Sequence, residues 1–481
     1  MARFPEYRPL GRTHTNFFVS WKRRRQTLAV LLVASTILIL PALYFYLWTK
    51  PTLWPILLLY SFYSFFLDDT LRTGESVHRE SSWLKKQQIY KDFCDYFPIR
   101  IHRTVPLPRS LVTIKKTIKC FPVWTWGLSK SARSILKNLK LISEKERLVT
   151  VESPVGPRYI FAYHPHGVIA FGITGISCFQ SDNPTNDPHW FTDPNNVEKS
   201  EFDYSHVDDD NDDNDKIGIS KNFGPGILTS SKSFSNLFPG IKSHLLTLTT
   251  QFLLPFYRDY IYALGVGLVT KRAISSTLAL GHSVTIVVGG AHESLLAKPG
   301  KNSIVLNKRK GFIKLALKNA GMEESISASS KNIKNGEWEK AMGDIAIIPV
   351  YGFGENNIHK VYYTSENKNL VQNFNENTHL LSFFLKIQLI LKKFLGFTIP
   401  LVNSRGIFNY DFGLLPYRRG IDVVYGEPIY ITRRFGNKPG DEVTIEEVEY
   451  YHKIYLEKLK ELWNKNKKFC FEQEEPLKIV E

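Results

Sequence analysis

The sequence predicts an α/β fold: a mixed or mostly parallel sheet flanked by helices, preceded by an N-terminal transmembrane helical hairpin. Two observations carry this. Short runs of β-branched and aromatic residues alternate, from residue 157 onward, with stretches of helical periodicity, which is the pattern of a sheet covered by helices. Upstream, 24 residues without a charge lie between Arg25 and Lys50, and 17 more run from Pro51 to Asp68. At about 1.5 Å per residue the first run spans a hydrocarbon core of about 30 Å, whereas the second is marginal.

In chain order, residues 1–24 are a polar, basic tail and 25–68 the hairpin, with 69–156 a connector and membrane-proximal region. Basic clusters flank the hairpin, Lys22 to Arg25 before it and Arg72, Arg79, Lys85 and Lys86 after. The positive-inside bias therefore puts both termini in the cytosol. A buried core helix followed by an aromatic-rich loop is the alternative. The main domain runs from 157 to 470. Its strands are expected at "RYIFAYHP" (158–165), "HSVTIVVGG" (282–290), "IAIIPVYGFG" (345–354) and "IDVVYGEPI" (421–429). The second is apolar almost throughout, so both its faces should be buried. A helix is expected in "RKGFIKLALKNAG", with Phe312, Leu315 and Ala316 on one face and Gly321 as its stop. Another begins near 445, where Thr444 and Glu447 have capping-box spacing. Two polar segments interrupt the pattern, a disordered insertion at 181–222 and a loop at 323–343.

Charge narrows the partners. The chain carries +16 even though eight acidic side chains crowd residues 201–215. Such an excess fits an anionic membrane face or phosphate-bearing ligands. No helix-turn-helix, zinc-finger or RNP signature accompanies it, which sets nucleic acid aside. The four cysteines show no CxxC spacing, so neither a zinc site nor a disulfide framework is expected.

Three clusters can carry chemistry. In "YHPHG" (163–167), His164 and His166 sit two apart at a strand end, where both rings could face one cleft. An imidazole there suits general-base work. Pro165 would stiffen the turn, and Gly167 would let a ligand approach the backbone. Metal ligation, for which a second cluster is missing, and plain structural histidines are the competing readings. After the second strand, Gly289-Gly290 marks a tight exit and Glu293 follows at a helix start. Its carboxylate could orient an imidazole, or merely complement the helix dipole. Lys308, Arg309 and Lys310, with Arg418 and Arg419 further on, are candidates for phosphates or else a solvated face. The apolar "NTHLLSFFLKIQLILKKFLGF" (377–397) reads as an interfacial helix or a core helix with a lysine edge.

In order, "DYFPI" (95–99), "YHPHG" (163–167), "FPG" (238–240), "VVGGAHES" (287–294), "PGKNSIVLNKRKGFIKLAL" (299–317), "IPVYGFGEN" (348–356), "RGIF" (405–408) and "YGEPI" (425–429) resemble the motifs of type 2 diacylglycerol acyltransferases. The likeness covers roughly 90–465, and the polar insertions suggest a fungal-type member. It implies a glycerolipid-acyltransferase-like fold in the endoplasmic reticulum membrane. The implied reaction transfers a fatty acyl group from acyl-CoA, a co-substrate and not a cofactor, to the free hydroxyl of 1,2-diacylglycerol. The family's catalytic histidine falls at His166 and its acid at Glu293. The wider acyltransferase group places an Asp five positions after the catalytic His. None of the 13 histidines here has one, so Glu293 takes that place. Gly420 stands where relatives tend to carry proline.

On this reading His166 deprotonates the alcohol, Glu293 holds the ring's other nitrogen and His164 positions substrate or the second ring. Amides near Gly167 or Gly289 would steady the oxyanion, and Lys308 to Lys310 would meet the CoA phosphates. Monoacylglycerol or a long-chain alcohol as acceptor, or a lipid-binding protein without turnover, are the rival functions. Self-association and movement to lipid droplets are left open.

Overall fold

Runs of β-branched and aromatic residues build one large sheet. The computed structural model describes residues 19–68, 70, 76–120, 130–142, 145–178, 218–219, 228–230, 234–294, 296–320, 345–363, 401–407, 413–435, 437, 439–470 and 474–480. The loop at 323–343, the apolar stretch 377–397 and the insertion at 181–222 apart from 218–219 lie outside the described residues.

Among the described residues ten strands share the sheet: β1 (Ile99–Arg103), β2 (Arg158–His164), β3 (Gly218–Ile219), β4 (Leu228–Ser230), β5 (Ser243–Thr247), β6 (Gly267–Leu268), β7 (Ser283–Val287), β8 (Ile345–Phe353), β9 (Ile421–Tyr425) and β10 (Ile429–Ile431). Their order is β3-β4-β1-β9-β8-β2-β7-β5-β6, with β10 also paired to β8. The sheet is mixed. β2 runs parallel to both β8 and β7, while β8 and β9 are antiparallel. The four strands expected from sequence are its four adjacent central members, β9-β8-β2-β7.

Side-chain alternation along β2 divides the core in two. Tyr159, Phe161 and Tyr163 face one layer with Phe93 and Tyr96 of helix α3 (Gln88–Tyr96) and Phe171 and Ile173 of α4 (Phe171–Cys178). Ile160 and Ala162 face the other, with Phe312 and Ala316 of α8 (Gly311–Asn319) and Tyr455 and Leu459 of α9 (Ile445–Asn466). Helix α9 begins at a complete capping box between Thr444 and Glu447. All of β2 is buried, as a central strand covered on both faces should be.

The N-terminal part is built into this body. Helix α1 (Trp21–Leu47) is 27 residues long, and it alone among the described residues is long and apolar enough to cross a membrane. The apolar stretch Pro51–Leu67, which contains α2 (Trp54–Phe62), is shorter. Tyr44 of α1 meets Ser61 of α2 through a 2.7 Å hydroxyl contact. Arg25 grips Asp92 of α3 with two bonds, 3.1 Å from Nε and 2.8 Å from Nη2. Residues 69–156, expected to be a connector, supply β1, which pairs in register with β9 from Ile99–Ile421 to Arg103–Tyr425. Five residues are too few to carry much periodicity, and the strand is completed by a partner more than 300 residues away.

Candidate active site

Three parallel neighbours, β8, β2 and β7, end on the same edge of the sheet. In open α/β sheets ligands gather beyond the carboxyl ends of the strands. Each of these three ends delivers one titratable side chain within a few residues: Glu355 after β8, His166 after β2, and Glu293 after β7.

At the centre, Pro165 follows β2 at once and has no N–H to continue the ladder. Gly167 then takes φ of +60°, a left-handed conformation open to glycine at little cost. His166 sits half-buried between them. Its Nδ1 lies 3.1 Å from the Gly167 carbonyl oxygen. A carbonyl only accepts, so Nδ1 carries the proton and Nε2 keeps its lone pair. Burial pulls the imidazole below its ordinary pKa, against the pull of the Gly167 carbonyl. It is therefore neutral at neutral pH, with an unprotonated nitrogen to offer.

Glu293 comes from the short helix α7 (Gly290–Ser294), which starts at Gly290 with φ of +60°. Its side chain is 1% exposed. It accepts from the His166 amide through Oε1 and, at 2.7 Å, from the Val305 amide through Oε2. The carboxylate lies so close to Gly289 that a Cβ there would stand 2.1 Å from Oε2. Burial raises the Glu293 carboxyl to about 7, although both amides and nearby Arg309 pull it down.

Two expectations change here. Glu293 does reach His166, but it holds the residue's backbone N–H and not the ring nitrogen, because Nδ1 is already turned to Gly167. Nor do the two histidines share a cleft. His164, the last residue of β2, is wholly buried and its Nε2 meets the Tyr455 hydroxyl of α9 at 3.0 Å. The same hydroxyl donates to the Ala162 carbonyl at 3.2 Å, so it accepts from His164. Burial drives this ring to about 3. Strand parity no longer relates the two side chains once the ladder ends at His164.

The comparisons with known proteins bear on this arrangement. The family described as diacylglycerol acyltransferase matches residues 45–114, 222–323 and 339–480. The chain belongs to that family. It is 33% identical to diacylglycerol O-acyltransferase 1 of Saccharomyces cerevisiae over 96% of this chain and 87% of the relative. It is 30% identical to diacylglycerol O-acyltransferase 2 of Dictyostelium discoideum, over 95% and 97%. The bovine 2-acylglycerol O-acyltransferase 1 is 26% identical over 82% and 77%. No solved structure matches the chain.

Within this diacylglycerol acyltransferase the basic candidates are not equivalent. Lys310 is ion-paired with Glu449 of α9. Arg309 is exposed and close enough to Glu293 to act on its charge. Lys308 is also exposed, just before α8. Arg418, a candidate for phosphate, instead bonds Gln26 of α1 and lies 4.4 Å over the Tyr96 ring.

One residue of the matched segments went unnamed in the sequence reading. Glu355 is fully buried and accepts from the Tyr163 hydroxyl at 2.6 Å, the Phe171 amide at 2.8 Å and the Gly172 amide at 3.0 Å. The available signal was a carboxylate two residues beyond an apolar strand, after the glycines of "YGFGEN", the same grammar that exposed Glu293.

Proposed function

We propose that this acyltransferase moves a fatty acyl group from acyl-CoA to the free hydroxyl of diacylglycerol, with His166 as general base. The single observation behind the mechanism is the orientation of that ring: Nδ1–H committed to the Gly167 carbonyl, Nε2 available. Nε2 takes the hydroxyl proton as the glyceride oxygen bonds to the thioester carbon. The C–S bond then breaks, and the proton passes to the departing CoA sulfur. No acyl-enzyme is needed. Glu293 works from the backbone side, fixing the His166 amide and with it the position of the ring. His164 braces the end of β2 through Tyr455. Amides near Gly167, Gly289 and Gly290 are the donors for the oxyanion, a stabilisation of several kcal/mol in such sites. Lys308, Arg309 and Lys310 are the candidates for the CoA phosphates, and Lys310 is also ion-paired with Glu449.

Diacylglycerol as the acceptor is supported by the names of the relatives, with 28–33% identity to diacylglycerol enzymes against 26% to a 2-acylglycerol enzyme. The membrane assignment combines α1 as a full crossing with Pro51–Leu67 as the shorter return arm. Basic flanks keep both termini cytosolic at the endoplasmic reticulum.

The test is acyl transfer from labelled oleoyl-CoA by membranes carrying the wild type or His166→Ala. Triacylglycerol should vanish in the variant at unchanged protein level, and its persistence would refute the base assignment. Parallel incubations with monoacylglycerol and a long-chain alcohol should give less product than diacylglycerol.

A further inference from the structure

The mechanism so far uses the carboxylate on one side of the His166 turn. A second carboxylate occupies the other side. Glu355 and Tyr163 form a buried pair whose surroundings are shaped by absent side chains. A Cβ on Gly352 of β8 would stand 2.1 Å from the Tyr163 hydroxyl. One on Gly172 of α4 would stand 2.6 Å from Glu355 Oε2 and 2.9 Å from the same hydroxyl. One on Gly167 would meet Glu355 Cγ at 3.0 Å. Real Cβ contacts below about 3 Å force something to move, so three glycines on three segments make the room this pair occupies.

We infer that Glu355 is a positioning residue for the acyl transfer, holding the His166–Gly167 turn against the start of α4 from the side opposite Glu293. This rests on the reading of His166 as the base. The bond pattern suits the ionised form. Oε1 accepts from Phe171, Oε2 from Tyr163 and Gly172, and the two amides can only donate. A carboxylate also complements the positive end of α4. Protonation would place a fourth hydrogen in a site already full of donors. A core polar residue needed only for stability requires satisfied bonds. This one also fills the space beside the glycine that sets the left-handed turn after His166, where a Cβ would stand 3.0 Å from its Cγ. Two carboxylates thus flank one turn, Glu293 bonded to the His166 amide and Glu355 filling the space beside Gly167.

Burial raises the Glu355 carboxyl to about 7, while the Tyr163 hydroxyl and the two amides pull it down. Among the described residues the titratable group acting on it is Tyr163, and α4 offers it the Phe171 and Gly172 amides. Acidification through about 7 therefore protonates Glu355 and, independently, Glu293. His166 loses its free lone pair only at a lower pH.

The experiment measures kcat and KM for oleoyl-CoA and diacylglycerol, from pH 5.5 to 8.5, on full-length wild type, Glu355→Gln and His166→Ala. Glu355→Gln should lower kcat at least tenfold with both KM values within twofold. Its acid limb in log kcat should have a slope of about one where the wild type approaches two. Wild-type kcat and an unchanged profile in Glu355→Gln, with His166→Ala inactive, would overturn the positioning role and leave the base intact. Activity in His166→Ala would overturn the underlying reading instead. If Glu355→Gln fails to accumulate, Tyr163→Phe removes a single bond and keeps the carboxylate. It should lose three- to tenfold in kcat at constant KM, and full kcat there overturns the inference.

Discussion

Glu293 holds opposite consequences for activity and stability in one side chain. Its burial keeps the carboxyl near 7 in the folded protein, above the ordinary value of about 4.3 in an unfolded chain. A raised acid pKa means the folded state binds the extra proton between those limits. The contribution of this group to stability is therefore present below about 4.3 and lost as pH rises through about 7. Activity runs the other way, since the ionised form is the one that accepts the His166 and Val305 amides. Replacing Glu293 by Gln should lower kcat by ten- to a hundredfold at pH 7.5. The difference in Tm between Glu293→Gln and wild type, measured in detergent, should shift in favour of the variant from pH 5.5 to 8. A difference that stays constant with pH would contradict a raised Glu293.

Among the elements, the strand exits decide the site. β2, β7 and β8 each end in residues that break the ladder or tolerate close approach, and the side chain that follows is aimed by that exit. Gly289 shows the constraint most sharply. Alanine there would put a methyl 2.1 Å from the Glu293 carboxylate, so Gly289→Ala should cost kcat more than tenfold, read in the same oleoyl-CoA assay, with lesser effect on KM. Central strands were legible because continuous apolar runs buried on both faces look the same in sequence as in structure. β1 and β5 were not. β1 mixes Arg100, His102 and Arg103 with two isoleucines, and its polar side chains find partners only in the fold. His102 meets Asp422 of β9 at 2.8 Å, and Arg103 reaches the Leu237 carbonyl at 2.5 Å.

For the whole molecule, the apolar N-terminal segment is joined to the catalytic body and does not merely tether it. At its end, Asp68 accepts from Arg79 at 2.6 Å and from Arg258 at 2.5 Å. Arg258 also donates to the Ser64 carbonyl at 2.5 Å, and Arg79 reaches on to Asp259 at 2.7 Å. Arg258 and Asp68 are both buried. Removing one partner of a buried pair costs about 3–5 kcal/mol. Arg258→Ala should accordingly lower the detergent-solubilised Tm by about 5 °C or more, and an unchanged Tm would show that the joint carries no stability. At the other end of the segment, the flank of α1 that reads as a topological signal spends Arg25 on Asp92 and the Gln26 side chain on Arg418.

The sequence by itself determined the apolar N-terminal helix, the central strands and the capped C-terminal helix, and it singled out His166 and Glu293 as candidates. Each follows from local patterns of hydrophobicity, turn chemistry and charge. Only the tertiary structure decided what those residues touch: the backbone and not the ring for Glu293, the interior and not the cleft for His164, and the place of Glu355 beside the same turn. The reason is that strand order and register are set by pairing between segments hundreds of residues apart. Which carboxylate faces which amide is a property of those pairings, and no local pattern records it.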